Sequence, residues 1–181
     1  MNDSRLVKIS KYLSKYLRHT PDKIGIKLAP GGWVVVDELL TACAKNEFPI
    51  TRQELQVVVE SNDKQRFSFD STGILIRANQ GHSVKVDLQL EPVVPPDVLY
   101  HGTGHKSVES IMQTGLCQMS RHHVHLSRDI STAQTVGARH GKPVIFIIYA
   151  AAMHQAGYIF YCSNNGVWLV ADVPLKYLQR I

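Results

Sequence analysis

The stretch VDLQLEPVVPPD, residues 86–97, decides how this chain is organised. Its Glu91-Pro92 and Pro95-Pro96 pairs can neither continue a helix nor sit in a central strand, because proline has no backbone N–H and a fixed φ. An extended linker is expected here, separating a first lobe over residues 1–85 from a second over residues 98–181.

Upstream of the linker, Leu6, Ile9, Leu13 and Leu17 recur at helical spacing, with Lys8, Lys11, Lys15 and Arg18 on the opposite stripe. Residues 4–17 therefore read as an amphipathic helix that Pro21 ends soon after His19. Gly31-Gly32 marks a turn and Trp33 to Val36 a short strand. Asp37 is expected to cap a helix to about Lys45 that buries Leu39, Leu40 and Cys43. Thr51 and Glu54 have capping-box spacing before a helix carrying Leu55, Val58 and Val59. Arg66–Phe69 and Ile74–Arg77 read as a hairpin. Helices followed by a β-hairpin predict a winged-helix lobe.

Downstream, strands are expected near Leu99–His101, Val124–Ser127, Val144–Tyr149, Tyr158–Cys162 and Val167–Ala171, with helices near 106–114 and 131–140 and a tight hairpin at Asn165-Gly166. The fold class is α+β in two lobes, the second of them mixed α/β. That second lobe carries neither the G-x-G-x-x-G loop of a dinucleotide-binding Rossmann unit nor the G-K-[ST] of a P-loop.

Composition narrows the function. No run approaches the roughly 18 apolar residues of a spanning helix, and MNDSRLVKIS lacks the apolar stretch of a secretory signal, so a cytoplasmic, membrane-free protein is expected. Cys43, Cys117 and Cys162 have no C-x-x-C spacing and read as buried reduced thiols. Residues 1–27 hold seven Lys/Arg against Asp3 and Asp22, which accounts for the whole net charge of +5. Such a concentrated field suits a polyanion such as RNA or DNA, although a solvated helix face explains it equally well.

Four groups can carry chemistry: Arg18-His19, Arg66, Tyr100-His101-Gly102-Thr103, and the run RHHVHLS from Arg121 to Ser127. On a strand, period two would set Arg121, His123 and His125 on one side and His122 on the other. An H-x-H pair could ligate a metal, with His101 or His105 as a third ligand, but the adjacent arginine would repel a cation and no carboxylate has ligand spacing. A two-histidine phosphoesterase is the competing enzyme, since His101-Gly102-Thr103 and His125-Leu126-Ser127 both fit H-x-[ST]. A winged-helix DNA-binding regulator with a ligand-sensing lobe is the non-enzymatic competitor.

In order along the chain, Leu17-Arg18-His19, Gly32-Trp33, Lys64-Gln65-Arg66-Phe67, Tyr100-His101-Gly102-Thr103, Val124-His125-Leu126-Ser127 and Asn165-Gly166-Val167-Trp168-Leu169 resemble the KptA-type RNA 2'-phosphotransferases. The resemblance covers nearly the whole chain. It implies an ADP-ribosyltransferase-like second lobe beside the winged helix, with the active site in the cleft between lobes. It further implies NAD as a consumed co-substrate, an RNA carrying a 2'-phosphate as partner, and neither a metal nor an obligate protein partner.

The family's Arg-His-Arg-Arg quartet falls on Arg18, His19, Arg66 and Arg121, and its His-His-aliphatic set for the NAD pocket on His101, His125 and Val167. Gly102, Thr103 and Ser127 would complete that pocket, with Gly137 and Arg139 toward the adenylate end. The phosphate is already an anionic nucleophile, so arginine forks would place it while His19 serves as general acid or helps to position it.

Overall fold

The structure is a computed structural model that describes residues 3–61 and 65–181. Lys64, quoted above as part of a motif, lies outside them. The chain divides into two compact units, Met1–Gln89 and Leu90–Ile181.

Among the described residues the first unit holds α1 (Asp3–Arg18), β1 (Trp33–Val35), α2 (Val36–Lys45), α3 (Arg52–Glu60), β2 (Phe67–Phe69) and β3 (Leu75–Ala78). The strands form one antiparallel sheet in the order β1-β3-β2, with Trp33 opposite Arg77 and Phe67 opposite Ala78. The apolar stripe of α1 supplies Ile9, Leu13 and Leu17, all 0% exposed, to a core shared with Leu39, Cys43, Leu55, Phe67 and Ile76. Each such side chain contributes roughly 1.5–3 kcal/mol by leaving water.

The capping box at the start of α3 forms as expected, Thr51 Oγ1 accepting from Glu54 N–H at 3.1 Å while the Glu54 carboxylate accepts from Thr51 N–H at 2.9 Å. Asp37 does not cap α2. The cap is Val35, two residues earlier, and Asp37 sits in the first turn of the helix bound to Arg52 at 3.1 Å. Preceding the helix is strand β1, whose extended backbone already supplies the non-helical cap conformation.

The second unit holds β4 (Leu99–Gly104), α4 (Val108–Thr114), β5 (Leu116–Cys117), β6 (Val124–Leu126), α5 (Ile130–Gly137), β7 (Pro143–Ile148), α6 (Ala150–Gln155), β8 (Phe160–Cys162), β9 (Trp168–Val170), β10 (Asp172–Val173) and β11 (Leu178–Arg180). Its sheets run β11-β7-β4, β6-β9-β8 and β10-β5, and a Tyr100–Ser127 bridge joins the first two. The core gathers Leu99, Leu126, Phe146, Ile148, Phe160 and Val170. All the pairings are antiparallel.

Several expectations need correction here. Strand β4 does not end at His101 but runs on to Gly104, because Gly102 and Gly104 lie flat under a closely packed neighbour. Asn165-Gly166 is not a two-residue hairpin loop: the turn is Ser163–Gly166, closed by Gly166 N–H to Ser163 O at 2.8 Å, with Gly166 at φ 75°. Residues 86–97 are not all linker either. Pro92 bridges Tyr161, and Val93 N–H donates to Phe160 O at 2.8 Å, so this segment covers the outer edge of β8. Of the three free cysteines, Cys43 is buried, Cys162 half-buried and Cys117 exposed. Cys117 lies on the two-residue strand β5, where period two turns one side chain outward. No helix among the described residues is long and apolar enough to cross a membrane.

Candidate functional site

In the first unit the C-terminal end of α1, the start of β2 and the segment after β3 meet at one place. Arg18 closes α1, where its cation complements the helix dipole. Its Nη2 donates to the carbonyl of Arg66 at 3.4 Å, and the guanidinium lies 5.8 Å over the Phe67 ring. His19, the next residue, is exposed, with Nδ1 2.9 Å from Ser83 Oγ. The backbone N–H groups of Ser83 and Val84 both donate to Arg18 O, at 2.9 and 3.3 Å. Arg18 is thus tied to the backbone of Arg66, and Arg18 and His19 are tied to Ser83.

Asn79 holds this arrangement and was not legible as a site residue. Its side-chain amide donates to Gln65 O at 2.6 Å and its backbone N–H donates to Arg66 O at 2.9 Å. Gln65 is a non-glycine residue at φ 38°, a left-handed conformation that persists only where its surroundings enforce it. Asn79, 5% exposed, provides that enforcement on the residue preceding Arg66. The only hint in the sequence is that Asn79 follows directly on β3. His82 and Ser83 were likewise missed. His82 is 1% exposed, and a side chain at Gly32 would come within 3.2 Å of its ring. The Gly32-Trp33 motif is thereby explained by packing, since Trp33 in turn carries the Arg77 guanidinium 4.5 Å over its ring.

In the second unit the run from Arg121 to Ser127 is not one long strand. Val124–Leu126 pairs with β9 and Ser127 bridges Tyr100, while residues 119–123 lie in turns and bends, so the period-two grouping fails before Val124. Arg121 and His125 are nonetheless together, Nη1 donating to His125 Nδ1 at 3.1 Å. Since arginine only donates, Nδ1 of His125 must accept and its proton sits on Nε2. His123 instead packs edge-on against Tyr161, with ring centroids 5.4 Å apart. Burial, helped by His122 nearby, holds its pKa below the ordinary value.

His101, on β4, lies beside the same strand, with Nδ1 3.0 Å from the carbonyl of His125. That carbonyl can only accept, so Nδ1 carries a proton. Burial first and then the charge of His140 depress the His101 pKa, with the bond to His125 opposing them. A neutral ring with Nδ1 protonated presents Nε2 as an acceptor. Ser127 faces Tyr100 through reciprocal backbone bonds of 2.7 and 2.8 Å, and half-buried Val167 immediately precedes Trp168, the partner of Leu126. His101 and His125 therefore lie on β4 and β6, with Ser127 bridging these strands and Val167 just ahead of β9.

Gly102 and Gly137 have a different role in the fold. A Cβ on Gly102 would fall 1.6 Å from the carbonyl oxygen of Ala133, and one on Gly137 2.9 Å from Thr103 O. They let β4 and α5 touch backbone to backbone. Thr103 is 7% exposed within that contact, and Arg139 is exposed in the short 3-10 turn after α5. Among the described residues no three His, Cys, Asp or Glu side chains gather in a way that could hold a metal ion.

Residues 4–172 match the model of the family described as RNA 2'-phosphotransferase, Tpt1 / KptA family. The chain is 86% identical to a protein of Nostoc punctiforme and 66% identical to one of Trichormus variabilis, each over 181 residues and 100% of both chains. It is 55% identical to a protein of Herpetosiphon aurantiacus over 98% of both chains. All three relatives bear the name "Probable RNA 2'-phosphotransferase". The chain belongs to this family.

Proposed function

From that membership we propose that the chain is an NAD-dependent RNA 2'-phosphotransferase, removing an internal 2'-phosphate from RNA and passing it to the ADP-ribose part of NAD. In this reading the first unit is the winged-helix RNA-binding lobe and the second an ADP-ribosyltransferase-like lobe that binds NAD. The observation that supports the proposal is the bonding of the Arg18-His19 end of a basic helix to Ser83 and to the backbone of Arg66, which Asn79 holds in turn.

Arg18, Arg66 and Arg121 would grip phosphate oxygens and orient one of them toward the ribose carbon that bears nicotinamide. A phosphate at neutral pH needs no base to act as nucleophile. One P–O–C bond forms as the bond to nicotinamide breaks, leaving an ADP-ribosylated RNA 2'-phosphate. A ribose hydroxyl would then attack phosphorus, releasing its proton to solvent, and expel the RNA 2'-oxygen, which takes a proton for which His19 is the candidate donor. The products are 2'-OH RNA, nicotinamide and ADP-ribose 1'',2''-cyclic phosphate. The arginines spread the charge that builds on the transferring group.

In the second unit, Nε2 of neutral His101 suits a ribose hydroxyl as donor, and the protonated Nε2 of His125 suits an acceptor. Ser127, Thr103 and the strand around Gly102 would complete the ribose end, with Gly137 and Arg139 nearer the adenylate. Val167 stands where protein-directed relatives carry a glutamate. An aliphatic side chain there spares an incoming phosphate dianion the repulsion of a carboxylate.

The test is incubation of a 2'-phosphorylated oligoribonucleotide with and without NAD. Phosphate transfer that depends strictly on NAD is expected; cleavage without any dinucleotide would favour the phosphoesterase reading. Arg66→Ala and Arg121→Ala should accumulate ADP-ribosylated RNA, because they weaken the second step more than NAD binding. A gel shift showing selective binding of duplex DNA without NAD would favour a regulator instead.

A further inference from the structure

An open groove of about 480 Å³ lies in the first unit along the segments that adjoin His19 and Ser83, and the chemistry above does not use it. Its walls come from the two segments that flank the site. Pro21 and Asp22 follow His19 by two and three residues, while Val84, Lys85 and Val86 continue from Ser83, which is bonded to both Arg18 and His19. Lys27 and Leu28 close the far side.

The lining has three kinds of group. Lys27 and Lys85 are exposed cations, Asp22 is an exposed carboxylate, and Pro21, Leu28, Val84 and Val86 are apolar. Two cations and one apolar surface match a phosphodiester with its attached base or sugar face. A carboxylate that can accept from a hydroxyl matches a ribose 2'-OH, the group that distinguishes RNA from DNA. A simple anion site would need neither the apolar wall nor the carboxylate.

We propose that this groove is a subsite for the nucleotide that flanks the 2'-phosphorylated one: Lys27 and Lys85 hold its phosphodiester, and Asp22 accepts a hydrogen bond from its 2'-hydroxyl. The proposal deepens the reading of the chain as an RNA 2'-phosphotransferase and rests on it. Bonds from Ser83 and Val84 to Arg18 fix the groove to the phosphate site, so a strand gripped at one is led into the other. Selection of an RNA strand over a lone 2'-phosphate would then arise within the first unit.

The test compares a nucleoside 2'-phosphate with a 2'-phosphorylated oligoribonucleotide extended on both sides, binding being measured by calorimetry and turnover separately with NAD. The Lys27→Ala/Lys85→Ala double variant should lose about tenfold in affinity for the extended RNA, with a salt slope shallower by about two. Its affinity for the nucleoside 2'-phosphate and for NAD should not change, and Lys27→Arg/Lys85→Arg should restore binding of the extended RNA. Asp22→Asn should blunt the penalty for a 2'-deoxy sugar at the flanking position.

A double variant that binds the extended RNA as well as the wild type, or that weakens both ligands equally, overturns the subsite. A wild type that binds extended RNA in this lysine-dependent way without NAD-dependent turnover would keep the subsite and sink the enzymatic reading. Turnover that persists unchanged in the double variant would do the reverse.

Discussion

At the scale of single residues, the protonation of His101 is the most consequential detail. Its Nδ1 is committed to the His125 carbonyl, and burial keeps the ring neutral further into acid than an ordinary imidazole. Protonation would turn Nε2 from acceptor into donor, so in the proposed reading affinity for NAD should fall as pH drops, with a midpoint below the usual 6.5. In His101→Gln that acid limb should disappear from a binding titration. Stability has the same sign. The unfolded chain takes up the proton at about pH 6.5 while the folded chain resists, so the melting temperature should decline as pH drops below that value, less steeply in the variant. Asn79 gives a second residue-scale prediction. In the proposed reaction Asn79→Ala should raise KM for RNA while leaving KM for NAD alone, and should cost about 1–3 kcal/mol of stability for the lost side-chain bond to Gln65 O. Arg18, His19, Arg66 and Arg121 could be named as candidates because the motifs that carry the family resemblance are local in sequence. Asn79 and Ser83 could not, because their role is to bond residues 13 to 65 positions away, a relation that no spacing rule encodes.

At the scale of elements, the contact between β4 and α5 makes the clearest demand on sequence. Gly102→Ala would drive a methyl into the Ala133 carbonyl, and overpacking of this kind costs about 1–3 kcal/mol or more. Gly166→Ala meets nothing within 4 Å and should cost only the left-handed penalty of roughly 1–2 kcal/mol. Urea midpoints of the two variants would rank them, and equal losses would contradict this packing. Thr51→Ala should cost about 1 kcal/mol by removing one half of the capping box. The long amphipathic helix and the capped α3 were readable since periodicity and a cap reinforce each other. Helix α6 escaped because its three alanines carry no periodic signal. Strands β5 and β10 escaped because two residues are too few to show alternation. In the Arg121–Ser127 run the alternation of residue types was real, but without a pairing partner before Val124 it did not become a strand.

At the scale of the whole molecule, charge and thiols can be probed directly. All of the net +5 resides in residues 1–27, so RNA affinity should drop steeply with added salt while NAD affinity drops far less. Equal salt slopes for the two ligands would argue against a basic face for RNA. Cys117 is exposed, whereas burial lifts the Cys43 thiol to about 11, so a thiol reagent should label Cys117 quickly and Cys43 only on unfolding. The proline-rich stretch bears on how the gene could be split. Gly31 N–H bonds to Asp87 O on one side, and Pro92 and Val93 attach to β8 on the other, leaving only residues 88–91 between these anchorages. Separate expression of the halves should therefore break the reading frame between Gln89 and Leu90. A cut at Asp97, where the prolines end, would strip a strap from β8 and leave that fragment with a bare, adhesive edge.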